Sequence, residues 1–246
     1  MHWLGAAPLR PSNIRAPGKV ANGFAVESFV DELAAKAGAD PLQFRLRDLT
    51  NPRAREVIER LAKLMAWQPR PSPAAQTRSR LLAGRGMAFI HYKHNETLVA
   101  VGMEVEVARD SGQINVKRIC CAQDCGQMIN PDAVRAQVEG NLLQTLSRTL
   151  HEETTFDRSR VTSVTFASYP LLRFPEVPLI DIELIDRREL PPLGAGEAAS
   201  SPVAAALANA VFDATGVRLR SVPFTRERVK AALGASSSTP VESVVS

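Results

Sequence analysis

The chain has 246 residues, 45% hydrophobic and 23% charged, enough to bury a core of one large domain or two small ones, which excludes a disordered tail. No run approaches about 18 consecutive apolar residues, so a membrane-spanning helix is excluded, and the opening Met1-His2-Trp3-Leu4-Gly5-Ala6-Ala7-Pro8 contains no legible signal peptide. The net charge of +4 comes from 30 Lys+Arg against 26 Asp+Glu, but the arginines lie scattered among carboxylates and aromatics are only 5%, so the footprint of a nucleic-acid binder is missing and no such partner is expected.

Residues 22–37 set Val26, Phe29, Val30 and Leu33 at helical spacing, with Gly38 as a stop. Asp40-Pro41 reads as an N-cap followed by proline at the first helical position and predicts a helix through Leu49. Asn51-Pro52 repeats that signal, and Val57, Ile58, Leu61 and Leu64 form the stripe of a third helix. Proline-rich residues 68–80 read as a linker or exposed loop. The period then becomes two, predicting strands over 86–94, 98–108 and 114–123, with Asp110-Ser111-Gly112 as the turn between the last two.

A long helix is predicted from Asn130-Pro131-Asp132 to about Leu150, with Val134, Val138, Leu142, Thr145 and Leu146 on one face. A strand over 178–187 and an alanine-rich helix from Pro202 to Ala214, stopping at Gly216, follow. Beyond Leu233 the chain is serine-rich and is expected to fray. The sum is an α+β chain: an N-terminal helical segment (1–67), a linker or exposed loop (68–84), a mixed sheet with packed helices (85–233) and a disordered tail (234–246).

Cys120, Cys121 and Cys125 are an odd, clustered set, which argues against a disulfide scaffold and for a reducing compartment. His2, His91, His94 and His151 are not at finger spacing, and His91 and His94 would point to opposite faces of a strand. The reading is buried thiols and surface histidines, with no protein-ligated metal.

Two segments stand apart from packing. In Leu193-Gly194-Ala195-Gly196-Glu197-Ala198-Ala199-Ser200-Ser201-Pro202, glycines allow close backbone approach, and Ser201 can cap the helix that starts at Pro202. Glu197 then lies ahead of a helix N-terminus that would favour its ionised form, suiting it as a general base; from pattern alone a structural cap or surface acid is the favoured reading. The second runs from Gln123-Asp124-Cys125-Gly126 through Asn130-Pro131 to Gln137-Val138-Glu139-Gly140-Asn141, a strand end, a glycine turn and a helix start. It is neither a dinucleotide fingerprint nor a Walker loop, and by pattern alone Gln137 and Glu139 face solvent.

In this order, Asp124-Cys125-Gly126, Ile129-Asn130-Pro131, Gln137-Val138-Glu139-Gly140 and Gly194-Ala195-Gly196-Glu197-Ala198-Ala199 resemble the xanthine dehydrogenase/aldehyde oxidoreductase family, specifically the C-terminal part of its molybdopterin-binding subunit. The isoquinoline 1-oxidoreductase and nicotinate dehydrogenase branch is nearest, and Ser12-Asn13-Ile14-Arg15-Ala16-Pro17-Gly18 resembles it too; the likeness runs over residues 9–233. It implies that 85–233 is the C-terminal portion of a molybdenum-cofactor-binding domain and that Glu197 is the base beside the molybdenum centre. There, oxygen from water, not dioxygen, would be added to an electron-poor carbon of an N-heterocycle or aldehyde.

It also implies that Gln137 hydrogen-bonds the pterin, that Arg15 of the Arg-x-x-Gly motif lies near substrate and cofactor, and that Gly126, Gly194 and Gly196 border the cofactor. The cofactor would be molybdenum–molybdopterin in its cytosine dinucleotide form, with iron–sulfur clusters on a partner. Ala16 and Pro17 stand where many relatives have glycine and an aromatic, which argues against substrate stacking from this loop, and Asn141 stands where a second glycine is frequent.

Family subunits are several times longer, so the first reading is one piece of a split molybdenum hydroxylase, acting on a small-molecule substrate. It would be active only with a chain carrying the N-terminal part of the molybdenum subunit and with a small iron–sulfur subunit. It would be cytoplasmic, or periplasmic if exported with a partner. The second reading is a non-catalytic truncated remnant or scaffold without a complete cofactor site.

Overall fold

The computed structural model describes residues 13–74, 79–93 and 96–237. His2, His94, the opening Met1–Pro8 stretch and the end of the expected tail from residue 238 onward lie outside the described residues.

Local chemistry sets three helix starts. Asp40, Asn51 and Asn130 each turn a side-chain oxygen back onto amides of the next turn, and each is followed by proline at the first helical position. These caps open α2 (Pro41–Arg47), α3 (Pro52–Leu64) and α4 (Pro131–Leu150). The Asp40 carboxylate also accepts from Trp67 Nε1 (3.0 Å) and the Arg70 amide (2.9 Å), tying α2 to the chain that leaves α3.

α1 (Lys19–Lys36) forms where predicted but with its faces reversed. Val26, Phe29 and Leu33 are exposed, whereas Gly23, Glu27, Asp31 and Ala34 are buried. The reason is charge pairing. Arg45 Nε meets Glu27 at 3.0 Å and Arg218 Nη1 meets Asp31 at 2.7 Å, so the acidic stripe enters the interior already neutralised.

The sheet has the order β1-β2-β3-β4, with β1 (Leu81–His91), β2 (Leu98–Ala108) and β3 (Ile114–Asp124) antiparallel and β4 (Leu179–Ile185) parallel to β3. A parallel pair needs a crossover, and α4 with the segment after it supplies it. Residues 81–84, expected in the linker, already belong to β1. Gly84 and Gly86 interrupt the alternation there because α5 (Val203–Thr215) lies against them: a Cβ on Gly86 would come within 2.2 Å of the Ala210 amide nitrogen. Every residue of α5 is buried, and Gly216, at φ 73°, ends it as predicted.

Helices cover both faces of the sheet. α4 and α5 pack on one through Val138, Leu142, Leu146, Val203 and Leu207, and α2 and α3 pack on the other through Leu42, Val57, Ile58 and Leu61. The three thiols are unpaired and buried. A last helix, α6 (Arg226–Ser237), runs through residues 234–237 that were expected to fray. It packs on the Gly112 turn, where a Cβ would stand 2.3 Å from the Arg226 carbonyl oxygen.

Candidate active site

The loop Leu193–Glu197 enters a 3-10 turn (Ala198–Ser200) that runs straight into α5. Because Ser201 already has helical angles, the extended geometry of a capping serine is not available to it. Its hydroxyl is buried without a partner, Pro202 takes the cap position, and the expected serine cap does not form.

The half-buried Glu197 is held by two donors outside that helix. The Tyr92 hydroxyl donates to Oε1 at 2.5 Å, and the Ala16 amide donates to Oε2 at 3.1 Å. These contacts bear on its charge state. The bond from Tyr92 draws the carboxyl below the usual carboxylate range, and it outweighs burial with help from the Ala16 amide and the nearby charges of Lys93 and Arg15. Burial, followed by that same bond, pushes the Tyr92 phenol up.

Arg15 gathers three segments. Its Nε donates to the Gly196 carbonyl at 2.6 Å, and its Nη2 reaches Gln137 Oε1 at 2.5 Å and the Gln137 carbonyl at 3.2 Å. Asn141, one helical turn after Gln137, donates from Nδ2 to the Gln137 carbonyl (2.7 Å) and the Gly196 carbonyl (3.2 Å). The Ser200 hydroxyl donates to Asn141 Oδ1 at 2.6 Å. Arg15, Gln137, Gly196 and Glu197 are thus one hydrogen-bonded cluster. Burial and the neighbouring Arg148 lower the Arg15 guanidinium from its ordinary value.

The remaining predicted residues border the cluster. Gly194 accepts at its carbonyl from Thr97 Oγ1 at 2.6 Å. Gly126, at φ 72°, lies under the preceding segment: its Cβ would meet the Pro191 carbonyl at 2.2 Å, and its own carbonyl accepts from the Arg187 amide at 3.1 Å. Glu139 is exposed on α4.

Tyr92, Thr97 and the Ala16 amide were missed as contributors. A lone tyrosine at a strand end has no spacing that marks it. Ala16 sits at φ 56°. That left-handed conformation costs a residue with a Cβ about 1–2 kcal/mol and turns its amide toward Glu197.

The arrangement fits a polar organic group rich in hydrogen-bond acceptors. Gly196 crests the loop with nothing within 4 Å of where a side chain would be, and the exposed Gln137 keeps its Nε2 amide without an intramolecular acceptor. The Arg15 guanidinium adds positive charge beside both. Among the described residues no group of three or more His, Cys, Asp or Glu could hold a metal directly.

Comparison with known proteins gives consistent matches. Residues 25–178, more than half of the chain, match the molybdopterin cofactor-binding domain family. The chain is 43% identical over 239 residues to a nicotinate dehydrogenase subunit of Pseudomonas putida, covering 94% of this chain and 20% of that protein. It is 33% identical over 201 residues to the beta subunit of isoquinoline 1-oxidoreductase of Brevundimonas diminuta, covering 81% of this chain and 25% of that one. It therefore spans about a fifth to a quarter of these curated relatives.

Among solved structures, aldehyde oxidoreductase from Desulfovibrio gigas superposes with a TM-score of 0.77 over 90% of this chain and 42% of that one; at 16% identity the likeness is one of fold. Quinoline 2-oxidoreductase from Pseudomonas putida 86 is 29% identical with a TM-score of 0.53, covering 56% of this chain and 19% of that one.

Proposed function

The chain belongs to the molybdopterin cofactor-binding domain family, and from that membership we propose that it supplies the general base and part of the cofactor cradle of a molybdenum hydroxylase. The reaction is oxidation of an N-heterocycle or aldehyde with water as the oxygen source. The observation that carries this reading is the convergence of Arg15, Gln137 and Glu197, from three distant segments, around an open glycine loop.

In this reading the molybdenum–pterin group, when bound, supplies the two-electron acceptor and the activated oxygen. The chain's residues do the rest. Glu197, ionised at neutral pH and fixed at both oxygens, takes up a proton from the reacting centre. Gln137 offers its free amide to the pterin, and Arg15 holds that glutamine and the loop in register. Gly194 and Gly196 leave room for the group, and Gly126 lets the supporting loop pack beneath them.

Because the chain spans a fraction of its relatives, the full activity needs further polypeptide: a chain carrying the N-terminal part of the molybdenum subunit and a small iron–sulfur subunit to remove electrons. The cytosine dinucleotide form of the cofactor and a cytoplasmic location, or a periplasmic one by export with a partner, belong to the same proposal. Among the described residues no helix is long and apolar enough to cross a membrane.

Co-expression with the neighbouring genes tests the proposal. A purified complex containing molybdenum is expected, in which Glu197→Gln keeps the metal and loses turnover by a factor on the order of 10³. A metal-free complex would favour the remnant reading, and turnover surviving Glu197→Gln overturns the assignment of the base.

A further inference from the structure

The turn between β1 and β2 touches the glutamate loop at both ends. Tyr92 opens the turn and Thr97 closes it, and they bind each other through the Tyr92 amide and the Thr97 carbonyl at 2.8 Å, with the Glu96 amide returning to the Tyr92 carbonyl at 3.1 Å. From this closed turn the Thr97 hydroxyl donates to the Gly194 carbonyl at 2.6 Å and the Tyr92 hydroxyl donates to Glu197 Oε1 at 2.5 Å.

The Tyr92 ring is 2% exposed and belongs to the main core with Ala16, Ala198 and Ala199. Its hydroxyl is thus set by packing and not by its bond to the carboxylate. Loops with exposed glycines, such as Gly194 and Gly196, have little of their own to fix a side chain.

We infer that Tyr92 is the positioning residue of Glu197: its core-anchored hydroxyl fixes the orientation of the carboxylate, while Thr97 fixes the start of the same loop. The inference rests on the reading of Glu197 as the base. Phenol-to-carboxylate bonds are short and strong because the acceptor is charged. With Oε1 held by Tyr92 and Oε2 by the Ala16 amide, rotation about the last side-chain bond breaks both contacts at once. Misplacement of a reacting group by about 1 Å can cost on the order of a hundredfold in rate, and this is the error the turn prevents. The charged groups around the pair are Lys93 and Glu96 of the turn and Arg15 across the loop.

The test needs no loaded enzyme for its first arm. The chain has two tyrosines, Tyr92 and Tyr169, so the full chain labelled with 13C at the phenol carbon gives two resonances, assigned with Tyr169→Phe. Tyr169 donates to a different carboxylate, Glu152, at 2.8 Å, so its resonance is the control that Glu197→Gln must leave as it is. On lowering the pH, the Tyr92 resonance is expected to move as Glu197 protonates; Glu197→Gln is expected to abolish that movement and leave the Tyr169 resonance unchanged, which also reports an intact fold. A Tyr92 resonance that titrates alike in both chains overturns the inference.

In the assembled complex, Tyr92→Phe is expected to lower kcat about tenfold to a hundredfold with KM changed less than about twofold, and to move the acid limb of the pH–rate profile upward. A residue that merely packed would leave that limb in place, so an unmoved limb with unchanged kcat also overturns the inference. Turnover surviving Glu197→Gln would instead defeat the assignment of the base while the resonance coupling stood, so the two failures are distinguishable.

Discussion

Arg53 grips Asp124 at two points, Nε to Oδ2 at 3.0 Å and Nη2 to Oδ1 at 2.6 Å, and the aspartate side chain is sealed from solvent. Arg187 adds a third bond at 3.1 Å and the Gly126 amide a fourth at 3.0 Å. The aspartate of the Asp124-Cys125-Gly126 motif therefore joins α3, the end of β3 and the segment after β4. It stands behind the site and holds in place the chain that leads to the glutamate loop.

Asp124→Asn is expected to destabilise the fold by about 2–3 kcal/mol, read as a lower urea midpoint. Removing one partner of a buried pair leaves the other uncompensated, and the partial solvent access of Arg53 and Arg187 reduces that cost from its fully buried size.

The same carboxylate sets an acid limb. Burial alone would raise Asp124, but the bonds from Arg53, Gly126 and Arg187 together hold it below the usual range. An acid whose folded pKa lies below its unfolded value contributes stability at pH above the unfolded value, about 3.9 for aspartate, and loses that contribution as pH falls through the folded value. Urea midpoints followed from pH 7 down to about pH 2 should drop less steeply in Asp124→Asn than in the wild type. Equal slopes below about pH 4 would remove Asp124 as a source of the acid limb.

Two glycines separate packing from binding. Gly86→Ala places a methyl 2.2 Å from the Ala210 amide nitrogen and is expected to cost about 2–3 kcal/mol of stability. Gly196→Ala meets nothing within 4 Å and is expected to leave the thermal midpoint of the chain unchanged while lowering molybdenum content in the assembled complex. A large loss of stability in Gly196→Ala would make that glycine a folding requirement instead.

Arg15→Lys keeps the charge and loses the fork. A lysine cannot reach the Gly196 carbonyl and Gln137 Oε1 in the same planar geometry, so cofactor loading is expected to fall roughly tenfold, as metal content per complex, at unchanged chain stability. Loading equal to the wild type would mean that charge alone suffices.

What could be read in advance was local. The Asp-Pro and Asn-Pro starts of α2, α3 and α4, the Gly112 turn and the Gly216 stop each rest on chemistry contained within a few residues. The inversion of α1 could not be read that way, because Glu27 and Asp31 depend on Arg45 and Arg218, the latter 187 residues beyond Asp31. The start of β1 was hidden by Gly84 and Gly86, chosen by the helix lying over them and not by the strand. Likewise the family motifs pointed to Glu197, Gln137 and Arg15, but the tyrosine and the Ala16 amide that hold Glu197 come from tertiary proximity alone.

The bond from Arg15 to Gly196 closes over 181 residues of chain. The acceptors of the Arg15 side chain, Gly196 and Gln137, lie 181 and 122 residues further along the chain, so no local segment can form these contacts. Long loops are closed late, since their entropy is spent before any contact returns it. The site therefore exists only where Arg15 and Gly196 have been brought together by the fold, as Asp31 and Arg218 are brought together over 187 residues.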